Sequence, residues 1–262
     1  MTPRWIQTRT DFLKVNENLQ SPKYTSVANK ALNPDRHPVH FGIIVFPGFQ
    51  ALDVFGPLDA FNTLSFAFDV PLKLSIIAET LDTVSTRPRT AVPGASDFDE
   101  SIVPTHTYDT APPLDVLIVP GGQGTRDPTS VQRAIDFVGK VYESLQYLIT
   151  VCTGAGIAAR AGVLDGRRAT TNKKAWESIV ALRDEVYWVA HARWVVDGKN
   201  WTSSGVSAGM DVTFAFIGHV WGDQTALDLA NALEYERHTD PSWDPFAGLY
   251  NLKDHFPPHF VS

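Results

Sequence analysis

Residues 147–161 read Y-L-I-T-V-C-T-G-A-G-I-A-A-R-A. The opening run Y-L-I-T-V is continuous rather than alternating in its apolar character, the pattern of a strand covered on both faces. The small residues from Gly154 onward read as a helix over 154–161. Cys152 falls on the junction, the kind of sharp strand-to-helix turn that presents nucleophilic serines in other α/β enzymes. Its sulfur is expected to face the N-terminal amides of the helix, whose partial positive charge would lower the thiol pKa. The other reading is a buried, inert packing cysteine. Gly154, Ala155 and Gly156 leave room for backbone and ligand to approach, which favours a functional turn.

Working outward, the same alternation repeats. F-G-I-I-V-F at 41–46 is a buried strand closed by Pro47-Gly48, and apolar residues at helical spacing follow over 52–64. Strands are expected at 72–78 and 116–119, the latter ended by Pro120-Gly121-Gly122. A helix with Pro128 near its start spans 128–145. Strand-like runs at 187–196 and 201–203 flank Asp197-Gly198, a hairpin signal. Helices over 208–221 and 225–236 close the unit. Strands alternating with helices imply a parallel sheet covered on both faces. One α/β domain over 40–238 is expected, with an extension at 1–39 and a Pro- and aromatic-rich strap at 239–262.

The chain of 262 residues is 44% hydrophobic and 19% charged, with a net charge of −7. That balance offers no phosphate-tracking surface, so nucleic acid is not an expected partner. No apolar run is long enough to span a membrane. A single cysteine precludes an intrachain disulfide or a zinc site needing two thiolates, and fits a reducing, cytoplasmic setting. The extension carries six basic and three acidic residues. It has no signal-peptide core and too many acids for a transit peptide, so it reads as an arm that packs on a neighbour or frays.

The segments F-P-G-F-Q-A-L-D-V-F-G-P (46–57), L-D-V-L-I-V-P-G-G-Q-G (114–124), V-C-T-G (151–154), A-G-V-L-D-G-R-R-A-T-T (161–171) and S-S-G-V-S-A-G-M-D (203–211) together resemble the PfpI/ThiJ superfamily. Within it, A-L-D-V-F-G-P with V-C-T-G looks most like the isonitrile (isocyanide) hydratase branch. Asn172-Lys173-Lys174 and the aromatic strap look like a fungal-type subgroup. The resemblance implies a flavodoxin-like parallel sheet sandwiched by helices, similar to class I glutamine amidotransferases, with a small β-hairpin insertion. It also implies a homodimer that needs no cofactor.

Departures from the wider superfamily narrow the chemistry. Peptidase-like members carry Cys-His at the turn, whereas this chain has Cys152-Thr153 and lacks that base. The amidotransferase His-x-Glu pair is missing, since His219 precedes Val220 and Trp221. Regulators with this domain add a helix-turn-helix module, for which no room is expected. Members related to glyoxalase and deglycase often place histidine after Thr-Thr; here Asn172 can hydrogen-bond but cannot exchange a proton at neutral pH.

By the same resemblance Asp53 is the acidic partner of the thiol; taken alone it would read as a helix N-cap. A carboxylate beside a thiolate is a like-charge pair, workable only if the two share one proton. The implied reaction adds water to a polarised carbon, isonitrile to N-formamide. Cys152 is the expected nucleophile and Asp53 the acid and base. Thr153 is expected to bind the nitrogen or the attacking water, amides of Gly121 and Gly122 to hold developing charge, and Asn172 and Val206 to line the pocket. A glyoxalase or deglycase reaction, or a non-catalytic thiol sensor that oxidises to sulfinate, are the alternatives.

Other residues carry less. His255 and His259 have metal-ligand spacing, but Pro257-Pro258 breaks the helix that would align them. His37 and His40 are placed in the extension or at its end, without a thiol or acidic partner nearby in sequence. His106, His191 and His219 read as structural, Asp59 as solvated, and Trp188, Trp194 and Trp201 as core or interface. P-G-G-Q-G lacks the G-K-[ST] ending of a phosphate loop.

Overall fold

The computed structural model describes residues 37–257 apart from 93 and 95. The 1–36 part of the extension and His259 therefore lie outside the described residues. Seven strands form the central sheet: β1 (His40–Ile44), β2 (Lys73–Ala78), β5 (His106–Thr107), β6 (Val116–Val119), β7 (Tyr147–Thr150), β10 (Trp194–Asp197) and β11 (Asn200–Ser203). Their order is β10-β11-β7-β6-β1-β2-β5, and every neighbouring pair is parallel except β10 with β11. The middle strands are buried along almost their whole length, because helices cover both faces. Two further pairs lie outside this sheet: β3 (Val84–Ser85) with β4 (Ser101–Ile102), and β8 (Arg168–Ala169) with β9 (Tyr187–Trp188). The mostly parallel sheet between helical layers is the flavodoxin-like arrangement the sequence implies.

The long helices are α1 (Ala51–Ala67), α2 (Pro128–Val141), α5 (Ala208–Trp221) and α6 (Asp223–Ala232); α3 (Gly154–Arg160), α4 (Trp176–Val180) and α7 (Pro245–Leu249) are short. Helix α2 starts because Asp127 accepts the Thr129 amide and Pro128 occupies a position whose N–H would be unsatisfied. It ends at Val141, and a 3-10 turn over Tyr142–Ser144 fills the rest of the expected helix. Helix α6 likewise stops four residues before the expected end.

The expected strand at 187–196 is broken. Its first part pairs in parallel with β8 and its second returns to the central sheet as β10. The break is held from the C-terminal segment: Ala190 N donates to Asp254 Oδ1 (2.7 Å), Arg193 N to the Pro241 carbonyl (2.7 Å), and Trp188 pairs with His255. The hairpin after it is the edge of the central sheet, since β11 pairs directly with β7.

Candidate active site

Parallel strands all point their carboxyl ends the same way, and ligands gather beyond those ends. Cys152 lies there, after β7, with φ 58°, a left-handed conformation uncommon for a residue with a side chain. Its peptide is held from two sides. Cys152 N donates to the Ser204 carbonyl (3.1 Å), and Thr171 Oγ1 donates to the Cys152 carbonyl (2.8 Å). Val206, in the turn after β11, also has positive φ, 37°, costly for a β-branched side chain. Its backbone N–H faces the Cys152 sulfur, as do the N–H of Thr153 and the side chain of Asn172. Asn172 accepts the Ala175 amide at Oδ1 (3.0 Å), which fixes its amide nitrogen against Gly205 and the thiol.

Asp53 is brought in by docking the head of α1 onto the 120–124 turn. Gln50 N donates to the Gly121 carbonyl (2.9 Å), and Gly121 N donates to Asp53 Oδ2 (2.9 Å). The residue sits in the first turn of α1, past the N-cap position held by Gln50, so it is no cap. It is 0% exposed, and Oδ1 has no strict hydrogen-bond partner among the described residues. Burial raises its pKa to about 7, against the pull of the Gly121 N–H and the Cys152 thiol. The thiol, 5% exposed, is pushed up to about 12 by burial and then by the Asp53 charge. Helix-end polarity was expected to lower it. Helix α3 is only seven residues long, and desolvation beside a carboxylate dominates. Both groups hold their protons more tightly than free side chains do, and the Asp53 charge opposes ionisation of the thiol, so the two titrate as one unit.

The glycine turn does a different task from the expected one. The Gly121 amide is spent on Asp53, and the Gly122 amide donates to Thr153 Oγ1 (3.0 Å). Thr153 Oγ1 also accepts from Thr125 Oγ1 (3.0 Å). These amides are not free to hold developing charge, and the Thr153 hydroxyl pins the loop. The donors that do face the sulfur are the backbone N–H groups of Thr153 and Val206. Gly121 is compulsory on space: a Cβ there would lie 2.6 Å from Thr153 N and 2.9 Å from Cys152 Cβ.

The remaining sequence candidates stay apart from this centre. His40 is in β1, bonded to Ser75, and His219 packs on Trp201 and Tyr147. Asp59 is exposed on α1, one wall of an open groove of about 700 Å³ that also includes Phe55, Ser207 and Met210 but not Cys152. Among the described residues no group of three or more His, Cys, Asp or Glu side chains could hold a metal ion, and no helix is long and apolar enough to cross a membrane. Sequence reasoning missed the support Thr125, which no quoted motif includes, and gave no role to Thr171, Lys173 and Ser204, which stood inside quoted motifs.

Residues 41–219 match the family described as DJ-1/PfpI. The chain belongs to the DJ-1/PfpI family. An isonitrile hydratase of Pseudomonas putida is 30% identical over 202 residues, 75% of this chain and 78% of that protein. A deglycase of Pyrococcus furiosus, PfpI, is 32% identical over 105 residues, 37% of this chain and 58% of the relative. Among solved structures, a ThiJ/PfpI family protein from Pseudomonas syringae superposes with TM-score 0.66 at 27% identity, covering 86% of this chain and 83% of that one. The relatives of this DJ-1/PfpI chain thus include enzymes of at least two kinds.

Proposed function

We propose that the protein is a cysteine-dependent hydratase that converts a small isonitrile to the N-substituted formamide. The observation that carries this reading is the placing of the buried Asp53 carboxyl, held by the Gly121 N–H, beside the Cys152 thiol on its strained turn. An isonitrile, R–N≡C, needs a nucleophile and a proton at the same terminal carbon. In the tautomer with thiolate and neutral acid, sulfur attacks that carbon while Asp53 protonates it, giving R–N=CH–S–Cys. Asp53, now ionised, takes a proton from water as the hydroxide adds to the same carbon. The hydroxyl proton passes to nitrogen, the C–S bond breaks, and R–NH–CHO leaves with the pair in its starting state. One acid–base group reverses roles around a covalent intermediate. The Thr153 and Val206 N–H groups and Asn172 steady sulfur as it carries charge.

Support comes also from the Pseudomonas putida relative, which is an isonitrile hydratase. The scant exposure of the thiol suits a narrow reacting head such as a terminal carbon. The reading includes two copies of the chain acting as a cytoplasmic dimer without a cofactor. Incubation with a simple alkyl isonitrile, with methylglyoxal and with peroxide, followed by mass spectrometry, tests it. Formamide is the expected product; lactate would replace the reading with a glyoxalase, and sulfinate without turnover with a thiol sensor.

A further inference from the structure

Lys173 follows Asn172 directly, yet its side chain is buried. An ammonium has three protons, and here all three are committed: to Thr170 Oγ1 (2.6 Å), Ala192 O (2.9 Å) and Thr171 O (3.2 Å). Those oxygens belong to the loop that carries Thr171 and Asn172 to Cys152, and to the break between β9 and β10. The charge is balanced from elsewhere. Asp244 Oδ2, on the C-terminal segment, sits 3.2 Å from Nζ with its side chain equally buried. That oxygen makes no other bond among the described residues, and its charge is the first of the effects that oppose the cost of burying the ammonium. Asp244 Oδ1 meanwhile caps α7 by accepting from Phe246 N and Ala247 N.

We propose that Asp244 is a positioning residue for Cys152, acting through the Lys173 ammonium on the loop from Thr170 to Asn172. The chain of contact is short: Asp244 to Lys173, Lys173 to the Thr171 carbonyl, and the Thr171 hydroxyl to the Cys152 carbonyl. Burial drives the Lys173 pKa down to about 8, opposed first by the Asp244 charge. Without that charge burial is opposed only by the more distant Asp254, and the balance moves toward the neutral amine. A neutral amine has two N–H groups, so one of the three oxygens loses its donor. Asn172 then moves relative to the sulfur, and the donors that oppose the rise of the thiol pKa weaken. The C-terminal segment is in this sense a wall of the site, although it never touches the thiol.

The proposal rests on Cys152 being the reacting group of the proposed function, but it is tested without isonitrile. Cys152 is the sole cysteine, so iodoacetamide alkylation of the full chain reports on it alone. D244N keeps an oxygen to cap α7, while the atom facing the Lys173 nitrogen becomes an uncharged amide NH2, so the negative partner of the ammonium is lost. It is expected to slow alkylation by about tenfold at a given pH, corresponding to a thiol pKa about 1 higher, and D244E to recover most of the rate. The double variant K173M/D244N, free of the buried charges, is read the same way should D244N fail to fold, and is expected to fold yet stay slow. A folded D244N or double variant with the wild-type alkylation profile, whatever its Tm, would overturn the proposal. Wild-type protein that alkylates normally but hydrates no isonitrile would overturn only the hydratase reading.

Discussion

The amide of Gly121 points at Asp53 Oδ2 from 2.9 Å, which makes the glycine turn the support of the acid rather than a cradle for substrate charge. The same turn grips Thr153 through Gly122. Acid and nucleophile are thus tied to one loop, whose backbone amides grip the short buried side chains of Asp53 and Thr153.

Replacing Asp53 by Asn separates its two effects. Asn can still accept the Gly121 N–H, but it cannot exchange a proton, so isonitrile hydration is expected to fall by roughly 10²–10⁴, the usual worth of a general acid–base group. The Asp53 charge raises the thiol pKa, so its loss lowers that pKa, and iodoacetamide should alkylate the variant faster than wild type. Turnover and alkylation moving in opposite directions is the expected result; both falling together would point to simple misfolding.

The pair also leaves a mark on stability. The folded pKa of Asp53, about 7, lies above its ordinary 3.8. Between those values the native state binds the proton and the unfolded chain does not, so this contribution is complete below pH 3.8 and is lost as pH rises through 7. Every tenfold gain in proton affinity on folding corresponds to about 1.4 kcal/mol. Urea unfolding of wild type and D53N at about pH 5 and about pH 8, on either side of the folded value, should therefore show wild type losing stability relative to the variant at the higher pH. A parallel course for the two proteins would contradict the raised value.

How much of this was legible beforehand follows the range of the forces involved. Continuous apolar runs such as 116–119 and 147–150, and the Pro-Gly punctuation after β1 and β6, reveal a buried parallel sheet because they are local consequences of burial on both faces. The turn at Cys152 was visible for the same reason. The break within 187–196 was not, because the groups that hold it, Asp254 and the Pro241 carbonyl, lie 64 and 48 residues beyond their partners Ala190 and Arg193. The rise of the thiol pKa was legible only in part: the resemblance set Asp53 beside the sulfur as a like charge, whereas the larger cause, burial, is a product of the whole fold and outweighs the helix polarity read locally. Likewise nothing near Gly121 in sequence shows that its amide is already occupied.

Thr153 should behave as a brace. T153V removes the acceptor for Gly122 N, leaving that donor unpaired at a cost of about 1–3 kcal/mol, while Thr125 Oγ1 keeps the Gly122 carbonyl (2.8 Å). Differential scanning calorimetry is expected to show a lower Tm, with T153S close to wild type, and hydration reduced far less than in D53N. Loss of turnover in T153S as severe as in D53N would give the side chain a direct chemical role.

Crowding at Gly121 offers a steric check. G121A places a methyl group 2.6 Å from Thr153 N, against backbone that cannot swing aside. Stability and turnover should both drop, by a few kcal/mol for the former. G248A, where a Cβ meets nothing within 4 Å in α7, serves as the neutral control. Equal Tm values for the two variants, measured by thermal melts, would show that the turn is looser than its contacts imply.

The hydratase reading stands or falls on whether the sulfur of Cys152 bonds to the substrate carbon with a proton delivered beside it. Rapid-quench intact-mass analysis of wild type, D53N and C152A during a single turnover with an alkyl isonitrile measures this directly. The expected result is a transient wild-type adduct, heavier by the mass of one isonitrile and located on the Cys152 peptide, that decays as formamide appears, with formation slowed in D53N and absent in C152A. Formamide released by C152A at the wild-type rate would contradict it.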